Sequence, residues 1–265
     1  MKPYPELLHQ VIALAVHAGA QIMAVYDSAG MLAQKDDDSP LTVADLAAHQ
    51  AIVEGLARLT PEIPVLSEES SAVPYAERRH WARFWLVDPL DGTKEFLKRN
   101  GEFTVNIALV EGHEPVLGVV WLPVRSQGYF AVRGEGAFRQ REGHAPEPIH
   151  VASLGGRPVR VVGSRSHATP GLDIFLQRLG DHELVVAGSS LKFCQVAEGA
   201  ADIYPRLGPT SEWDTAAAQC VVEEAGGWVL GVDGQRLRYN TRESLLNPHF
   251  IVFGDASRDW LALLP

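Results

Sequence analysis

Apolar residues recur at helical spacing in the first sixty residues and gather in short runs after them. Leu7, Val11, Ala18 and Ile22 fall on one face of a helix over 5–28, and Thr42 is a plausible N-cap for a second helix that ends at Leu59. Runs rich in β-branched and aromatic residues then predict strands at 63–66, 84–87, 104–110, 116–122 and 129–132, with a hairpin turn at 111–114. We therefore expect an antiparallel-leaning sheet covered by the first two helices.

The second half of the chain alternates strand and helix patterns, which is typical of an α/β arrangement. Strands are predicted at 159–162 and 184–187, and helices at 171–179, 190–198 and 215–224, the last ending at a glycine cap formed by Gly226-Gly227. Arg, Glu, Gly and Pro accumulate over 140–156, which makes this stretch the best candidate boundary. The sequence predicts an α+β half over 1–150 and an α/β half over 151–265.

Composition and charge narrow the choice of function. The 265 residues carry a formal net charge of −10, whereas a protein that binds a nucleic-acid polymer needs a basic face. No apolar run approaches about 18 residues and no early segment is organised like a signal peptide. We expect a soluble, cytoplasmic protein, monomeric or homodimeric, with peripheral association at the inner face of the membrane as the alternative.

Two cysteines, Cys194 and Cys220, lie in apolar helical contexts without ligand spacing. Buried free thiols in a reducing cytosol are the expected state, and a structural disulfide is the minority alternative.

The densest candidate chemistry lies at 85–96, in the run WLVDPLDGTKEF. A short buried strand should end at Pro89, which removes a backbone donor, and Gly92 permits a tight turn. A helix that begins near Thr93 would present free amides to an anion, while Asp88 and Asp91 are hard oxygen ligands suited to Mg²⁺. Asp-Pro and Asp-Gly are also ordinary turn dipeptides, but the run as a whole favours a metal–phosphate site.

The run from Asp88 to Thr93 resembles the signature of the inositol monophosphatase superfamily. Ser67-Glu68-Glu69-Ser70 is similar to the acidic pair of that superfamily, and Glu212 to Ala216, followed by Glu224-Ala225-Gly226-Gly227, is similar to its second motif. Order and spacing agree over almost the whole chain, and the likeness is greatest to the 3′(2′),5′-bisphosphate nucleotidase (CysQ) branch. The resemblance implies a layered α-β-α-β-α sandwich and a lithium-sensitive, Mg²⁺-dependent phosphatase.

The resemblance also implies a set of metal ligands that would hold two or three Mg²⁺ ions. They are the carboxylates of Glu68, Asp88, Asp91 and Asp214 and the carbonyl of Leu90. Taken singly, Glu68 could be a surface acid and Asp214 a helix cap, and Glu69 is expected beside the ligands and not among them.

Thr93 and Asp45 match the pair that, in the superfamily, orients the attacking water and accepts its proton. A local explanation for Asp45 stands beside this one, since Thr42-Val43-Ala44-Asp45 resembles a capping box. The sequence leaves both roles open.

Two further segments, 163–167 and 188–192, resemble the places where bisphosphate nucleotidases hold their nucleotide. The substrate contacts implied by the resemblance are Gly92, Thr93, Ser164, His167, Gly188, Lys192 and Asp214. A surface turn and an exposed helix lysine are the plain alternatives for these segments. Lys35, Asp37, Ser39 and Pro40 resemble the mobile loop that lies near the active site in the superfamily.

The leading hypothesis is hydrolysis of 3′-phosphoadenosine 5′-phosphate to AMP and phosphate, which would clear a by-product of sulfate assimilation. In-line attack by a metal-activated water needs no covalent intermediate. The alternatives are an inositol, fructose-bisphosphate or histidinol phosphate phosphatase on the same metal core, and a non-catalytic nucleotide-binding regulatory protein or metal-dependent scaffold. Retention of all four carboxylates with Thr93 and Asp45 argues against the non-catalytic alternatives.

Overall fold

The computed structural model describes residues 4–28, 40–163 and 170–265, with the side chains of 40–42 excepted. The helices it describes are α1 Tyr4–Ser28, α2 Pro40–Leu59, α3 Tyr75–Arg78, α4 Thr93–Leu97, α5 Pro170–Leu179, α6 Leu191–Ala197 and α7 Ala216–Glu224. The strands are β1 Val65–Ser67, β2 Arg83–Asp91, β3 Thr104–Glu111, β4 Glu114–Leu122, β5 Gln127–Val132, β6 Gly136–Arg141, β7 Glu147–Ile149, β8 Val159–Gly163, β9 His182–Val186, β10 Ile203–Arg206, β11 Trp228–Gly231 and β12 Phe250–Phe253.

The first sheet contains β1 to β7 in chain order. β1 pairs with β2 in parallel and every later pair is antiparallel, which confirms the predicted antiparallel-leaning sheet. The predicted hairpin is also confirmed, because Gly112 and His113 join β3 to β4 with φ of 56° and 77°. Two consecutive residues at positive φ match the right-handed twist of the flanking strands.

The second sheet has the strand order β11-β12-β10-β8-β9. β8 runs parallel to β9 and β10, with α5 and α6 as the intervening helices, so the predicted α/β alternation is correct for this part. β12 is antiparallel to both β10 and β11, and these three strands were not predicted.

Residue alternation along the strands produces the layers. Trp85 and Val87 on β2 pack with α1 and α2, whereas Phe84 and Leu86 face the opposite side and pack with α6, α7 and the second sheet. The far face of the second sheet packs against α5. The order is therefore helices, sheet, helices, sheet, helix, which confirms the α-β-α-β-α sandwich.

Helix α1 has the length and mean hydropathy, 1.5, of a membrane-crossing segment, and it is the only helix in the described ranges that meets this test. Its buried residues, including Leu7, Val11, Ala15 and Ile22, lie on one face against α2 and the first sheet. This face accounts for 28% of the apolar window of α1, the share that is buried.

Two element boundaries were predicted wrongly. α2 begins at Pro40, so Thr42 lies in its first turn and is not the N-cap; proline suits the first position because its φ is already helical and its missing donor is not needed there. Pro89 does not end β2, which continues to Asp91 after a register shift between Asp88 and Asp91. A bulge supplies the place where a strand tolerates proline.

The candidate boundary region also contains regular structure, because β7 lies within 140–156 and pairs with β6. Neither strand was predicted. Cys194 and Cys220 are both buried and free, as expected.

Asp202 is the most strongly paired buried carboxylate outside the acidic cluster described below. Its side chain is 1% exposed and accepts two hydrogen bonds from Arg157, of 2.6 and 2.8 Å, and a third of 2.8 Å from the Arg160 main chain. Arg160 adds its guanidinium at 2.9 Å. Burial alone would raise the pKa of Asp202, but these hydrogen bonds hold the pKa below its usual range.

Replacing Asp202 with Asn should lower the free energy of unfolding by about 3 kcal/mol at pH 7, because two arginines lose a buried charged partner. Because the pKa of Asp202 is depressed, its contribution to the free energy of unfolding is complete above about pH 4 and is lost as the pH falls further. The difference in free energy of unfolding between wild type and variant should therefore narrow in acid. Urea titrations from pH 3 to 7 measure it. Glu54→Gln, which breaks an exposed pair with Arg58, should cost under about 1 kcal/mol; an equal loss in both variants would contradict the assignment.

Candidate metal and phosphate site

The bulge in β2 brings two aspartates to one place. Residues three apart in a regular strand point to opposite faces of the sheet. In β2, Asp88 is opposite Asn106 and Asp91 is opposite Thr104, so three steps on β2 match two on β3. The additional residue turns the Asp91 side chain toward that of Asp88.

Asp214 reaches the same place from the second half of the chain. It closes a 3₁₀ turn, Glu212–Asp214, in which Ser211 and Asp214 form a reciprocal capping box. Asp214 is therefore not the cap of α7, whose N-cap position is Thr215, and the capping box of the 3₁₀ turn uses only one carboxylate oxygen of Asp214. Asp88, Asp91 and Asp214 each offer an oxygen, and these three atoms lie within 4.8 Å of one another.

Each of these aspartates is oriented by one main-chain donor. The N–H of Leu90 donates to Asp88 Oδ1 at 3.0 Å, that of Ser190 to Asp91 Oδ2 at 2.7 Å, and that of Ser211 to Asp214 Oδ2 at 2.9 Å. One oxygen of each carboxylate is thus held by the backbone, and the other remains for a ligand.

Glu68 and Asp45 border this cluster. The parallel pairing of β1 with β2 places Ser67 opposite Val87, so Glu68 follows beside Asp88. Glu68 is more exposed than Asp88, which is 1% exposed. Asp45 on α2 contacts Glu69.

Burial and mutual repulsion dominate the electrostatics of the cluster. Burial, followed by the charges of Asp91, Asp214, Glu68 and Asp45, raises the pKa of Asp88 well above its usual range. The same causes, burial first, raise the pKa of Asp214 to about 7 and that of Asp45 to about 8, where Glu69 is the main charged neighbour. Burial and the charges of Asp91 and Glu69 raise the pKa of Glu68.

A divalent cation fits this donor set. All donors are oxygens, the kind that Mg²⁺ prefers, and a positive ion would offset the repulsion that raises these pKa values. Asp45 Oδ1 is buried and has no hydrogen-bond partner among the described residues. Such an atom is costly unless a ligand or water satisfies it.

Gly92 forms the turn that follows the aspartates. Its φ is 101°, and a Cβ at this position would lie 3.2 Å from both Phe103 Cα and Ser189 Cβ, which confirms that the turn requires glycine. Helix α4 begins at Thr93, as predicted, but has only five residues. Thr93 is exposed and α4 lies against α2, the helix of Asp45.

A cavity of about 120 Å³ adjoins the aspartates. Its lining includes an acidic group of residues, Asp91, Glu95 and Asp214, and a basic pair, Lys192 and Arg206. Lys192 is 8% exposed, its ammonium lies 5.7 Å from the centre of the Tyr204 ring, and burial lowers its pKa. The cavity therefore combines acidic and basic side chains.

Gly188 lets two segments approach closely beside this cavity. A Cβ on Gly188 would lie 2.5 Å from Glu95 Cγ and 3.0 Å from the Glu102 carbonyl oxygen, so any side chain here would displace α4 or its neighbour. Gly188 shapes the cavity through main-chain packing.

Arg206 is the functional candidate that the sequence analysis missed. It ends β10 and donates to the Pro209 carbonyl at 2.6 Å, while its Nε is buried with no partner among the described residues. The run Ile203-Tyr204-Pro205 that precedes it is a strand signal which, once recognised, would have drawn attention to an arginine at its end. Ser164, His167 and the segment from Lys35 to Ser39 lie outside the described residues.

The acidic cluster predicts a pH-dependent response to Mg²⁺. Because the pKa values of Asp45 and Asp214 are raised, their contribution to stability is complete near pH 4 and is lost as pH rises through about 7 to 8. In chelator, the melting temperature should fall from pH 6 to 8.5; with Mg²⁺ the fall should be smaller, so stabilisation by Mg²⁺ should increase with pH. Thermal melts at pH 6 and pH 8.5 measure this stabilisation. In the control variant Asp214→Asn, both the fall in melting temperature and the stabilisation by Mg²⁺ should be smaller. A stabilisation by Mg²⁺ that is equal at both pH values would contradict the proposed cluster.

Known proteins resemble this chain over nearly its whole length. The model of the inositol monophosphatase family matches residues 5–257. The 3′(2′),5′-bisphosphate nucleotidase CysQ of Salmonella typhimurium is 54% identical over 93% of this chain and 99% of its own length, and that of Escherichia coli K12 is 52% identical over the same shares.

Solved structures show the same relationship. The crystal structure of CysQ from Bacteroides thetaiotaomicron, described as a bacterial member of the inositol monophosphatase family, superposes with a TM-score of 0.86 at 44% identity over 96% of this chain and 98% of that one. An inositol monophosphatase from Zymomonas mobilis superposes with a TM-score of 0.80 at 23% identity over 99% of both chains, a likeness of fold alone. Because the family model matches residues 5–257, this chain belongs to the inositol monophosphatase family.

Proposed function

We propose that the chain is a 3′(2′),5′-bisphosphate nucleotidase that hydrolyses 3′-phosphoadenosine 5′-phosphate to AMP and phosphate. The observation that supports this most strongly is the cavity that is lined both by Asp91 and Asp214 and by Lys192 and Arg206. A substrate with two phosphate groups can place one at the acidic residues, through bound cations, and the other at the basic pair. The names of the relatives at 52–54% identity support the same substrate.

In this proposal two or three Mg²⁺ ions are held by the carboxylates of Glu68, Asp88, Asp91 and Asp214 and the carbonyl of Leu90. Bound Mg²⁺ would neutralise charge on the phosphate oxygens and make water more acidic. Asp88, Asp91 and Asp214 are then ligands that the backbone has already oriented, and no side chain acts as a covalent nucleophile.

Asp45 and Thr93 are the residues that we propose orient the attacking water. Asp45 has a buried carboxylate oxygen free for a further hydrogen bond, and α2 and α4, which carry the two residues, lie against each other. The start of α2 at Pro40 removes the capping-box explanation for Asp45. A carboxylate that accepts a proton through the threonine hydroxyl fits this arrangement.

The second phosphate would be bound by Lys192 and Arg206, with Gly188 allowing close approach and Gly92 shaping the turn. We include Ser164 and His167 in this contact set, on the resemblance of their segment to that of the bisphosphate nucleotidases. A lysine that is 8% exposed and an arginine that lines the same cavity favour an anionic ligand there.

The proposal extends to the cellular role. Removal of a nucleotide bisphosphate would serve sulfur metabolism in the cytoplasm, and Li⁺ would inhibit by replacing one Mg²⁺. The two halves, 1–150 and 151–265, would each supply ligands to one site, so that neither half is active alone.

Phosphate release from a substrate panel tests this function. With Mg²⁺ we expect kcat/KM for 3′-phosphoadenosine 5′-phosphate to exceed that for inositol 1-phosphate and fructose 1,6-bisphosphate, and chelator should abolish all release. In Lys192→Met the value for the bisphosphate should fall about 10- to 100-fold, the worth of a hydrogen bond to a charged group, whereas that for 3′-AMP, which lacks the 5′-phosphate, should change little.

Lys98→Met is the matched control, because Lys98 is an exposed lysine at the end of α4. It should leave both substrates unaffected. An equal loss for the bisphosphate and 3′-AMP in Lys192→Met would refute the second phosphate subsite, and preference for inositol 1-phosphate would identify an inositol monophosphatase on the same metal core.

Asp45→Asn should lower kcat about 100-fold or more, because the side chain can no longer accept the proton of the attacking water. The variant should remain folded, with a melting temperature at pH 7 no lower than that of wild type, because an amide no longer repels Glu69. Single-turnover and steady-state rates measure the loss, with Glu54→Gln, an exposed position on the same helix, as the control. Near-normal turnover in folded Asp45→Asn would remove this residue from the mechanism.

A further inference from the structure

Ser190 is a buried serine, 1% exposed, directly before α6. Its hydroxyl lies 2.7 Å from the Asp214 carbonyl oxygen and 3.0 Å from Asp91 Oδ2, and it accepts a hydrogen bond of 2.8 Å from the side-chain amide of Asn106. Its main-chain N–H donates to the same Asp91 oxygen at 2.7 Å. One residue thus contacts two of the three clustered aspartates.

These contacts join parts of the molecule that are distant in sequence. Asp91 ends β2 and Asn106 lies on β3, both in the first sheet, whereas Asp214 belongs to the 3₁₀ turn that precedes α7. A serine hydroxyl has one proton and two lone pairs. Asn106 donates to the Ser190 hydroxyl oxygen, and the Ser190 proton is shared between Asp91 Oδ2 and the Asp214 carbonyl oxygen. Three partners therefore fix the position of the Ser190 oxygen.

We propose that Ser190 is a positioning residue for the metal site: it holds the Asp91 carboxylate and the Asp214 main chain at the separation that one divalent cation requires. This inference rests on the proposed metal-dependent function, but it concerns metal affinity and not the identity of the substrate. Ser190 is absent from the described lining of the cavity, so it acts through the two aspartates. Removal of a group that orients metal ligands typically weakens metal affinity about 10- to 100-fold.

Ser190→Ala tests the inference, because it removes the hydroxyl and keeps the main-chain donor. Binding of Mn²⁺ to the purified, substrate-free protein is followed by the electron paramagnetic resonance signal of free Mn²⁺, and its Kd should rise about tenfold. The Mg²⁺ concentration for half-maximal phosphate release should rise in parallel, while kcat at saturating Mg²⁺ stays within about twofold of wild type. Ser190→Thr, which restores a hydroxyl, should recover most of the Mn²⁺ affinity.

Thr60→Ala controls for a general loss of stability. Thr60 is a buried hydroxyl near the start of β2 that accepts a hydrogen bond from the Trp85 indole, so its removal should lower the melting temperature without changing the Kd for Mn²⁺. If Ser190→Ala does not fold, Asn106→Ala, which removes the donor to Ser190, provides the test with the same expected rise in Kd.

The outcomes separate the inference from the function on which it rests. Wild-type Mn²⁺ affinity in folded Ser190→Ala, or in Asn106→Ala where that variant is needed, would overturn the role of Ser190. Failure of the wild-type protein itself to bind Mn²⁺ would overturn the metal-dependent function as well.

Discussion

Several carboxylates packed together in a partly buried place repel one another, and the arrangement of the whole site depends on how the fold accommodates that repulsion. Asp88, Asp91 and Asp214 have oxygens within 4.8 Å of each other, and burial with mutual charge raises the pKa of Asp88 and Asp214. A fold that only had to be stable would avoid such a cluster. Local strain of this kind concentrates at functional sites, where a ligand relieves it.

The fold holds the cluster together with backbone groups. One main-chain N–H donates to each of the three aspartates, from Leu90, Ser190 and Ser211. These donors come from the bulge of β2, from the start of α6 and from the turn before α7. The two sheets and the helices between them therefore fix the site, since each donor belongs to a different element of the central layers. The fold does not by itself set the substrate, and the inositol monophosphatase of Zymomonas mobilis shares it at 23% identity.

Much of this organisation follows from local sequence signals. Runs of β-branched and aromatic residues predicted five of the seven strands of the first sheet, and the helical spacing of α1 predicted its helical cover. The glycines at 92 and 226 were also identified correctly, both at positive φ. The bulge at Pro89 could not be predicted, because loss of a donor ends a regular strand but is tolerated where the register shifts. β10 was not predicted because its four residues include a proline. Arg206, at the end of this strand, was therefore not identified as a candidate. The network around Ser190 depends on contacts between residues 24 to 99 positions apart, which periodicity does not reveal.

We propose that the three aspartates bind a cation through the oxygens that the backbone leaves free. Crystals of the protein soaked in Mn²⁺, with AMP and phosphate present, can be measured by anomalous diffraction. An anomalous peak should lie about 2.1 Å from carboxylate oxygens of Asp88, Asp91 and Asp214. Crystals that show Mn²⁺ elsewhere but no peak among these carboxylates would contradict it.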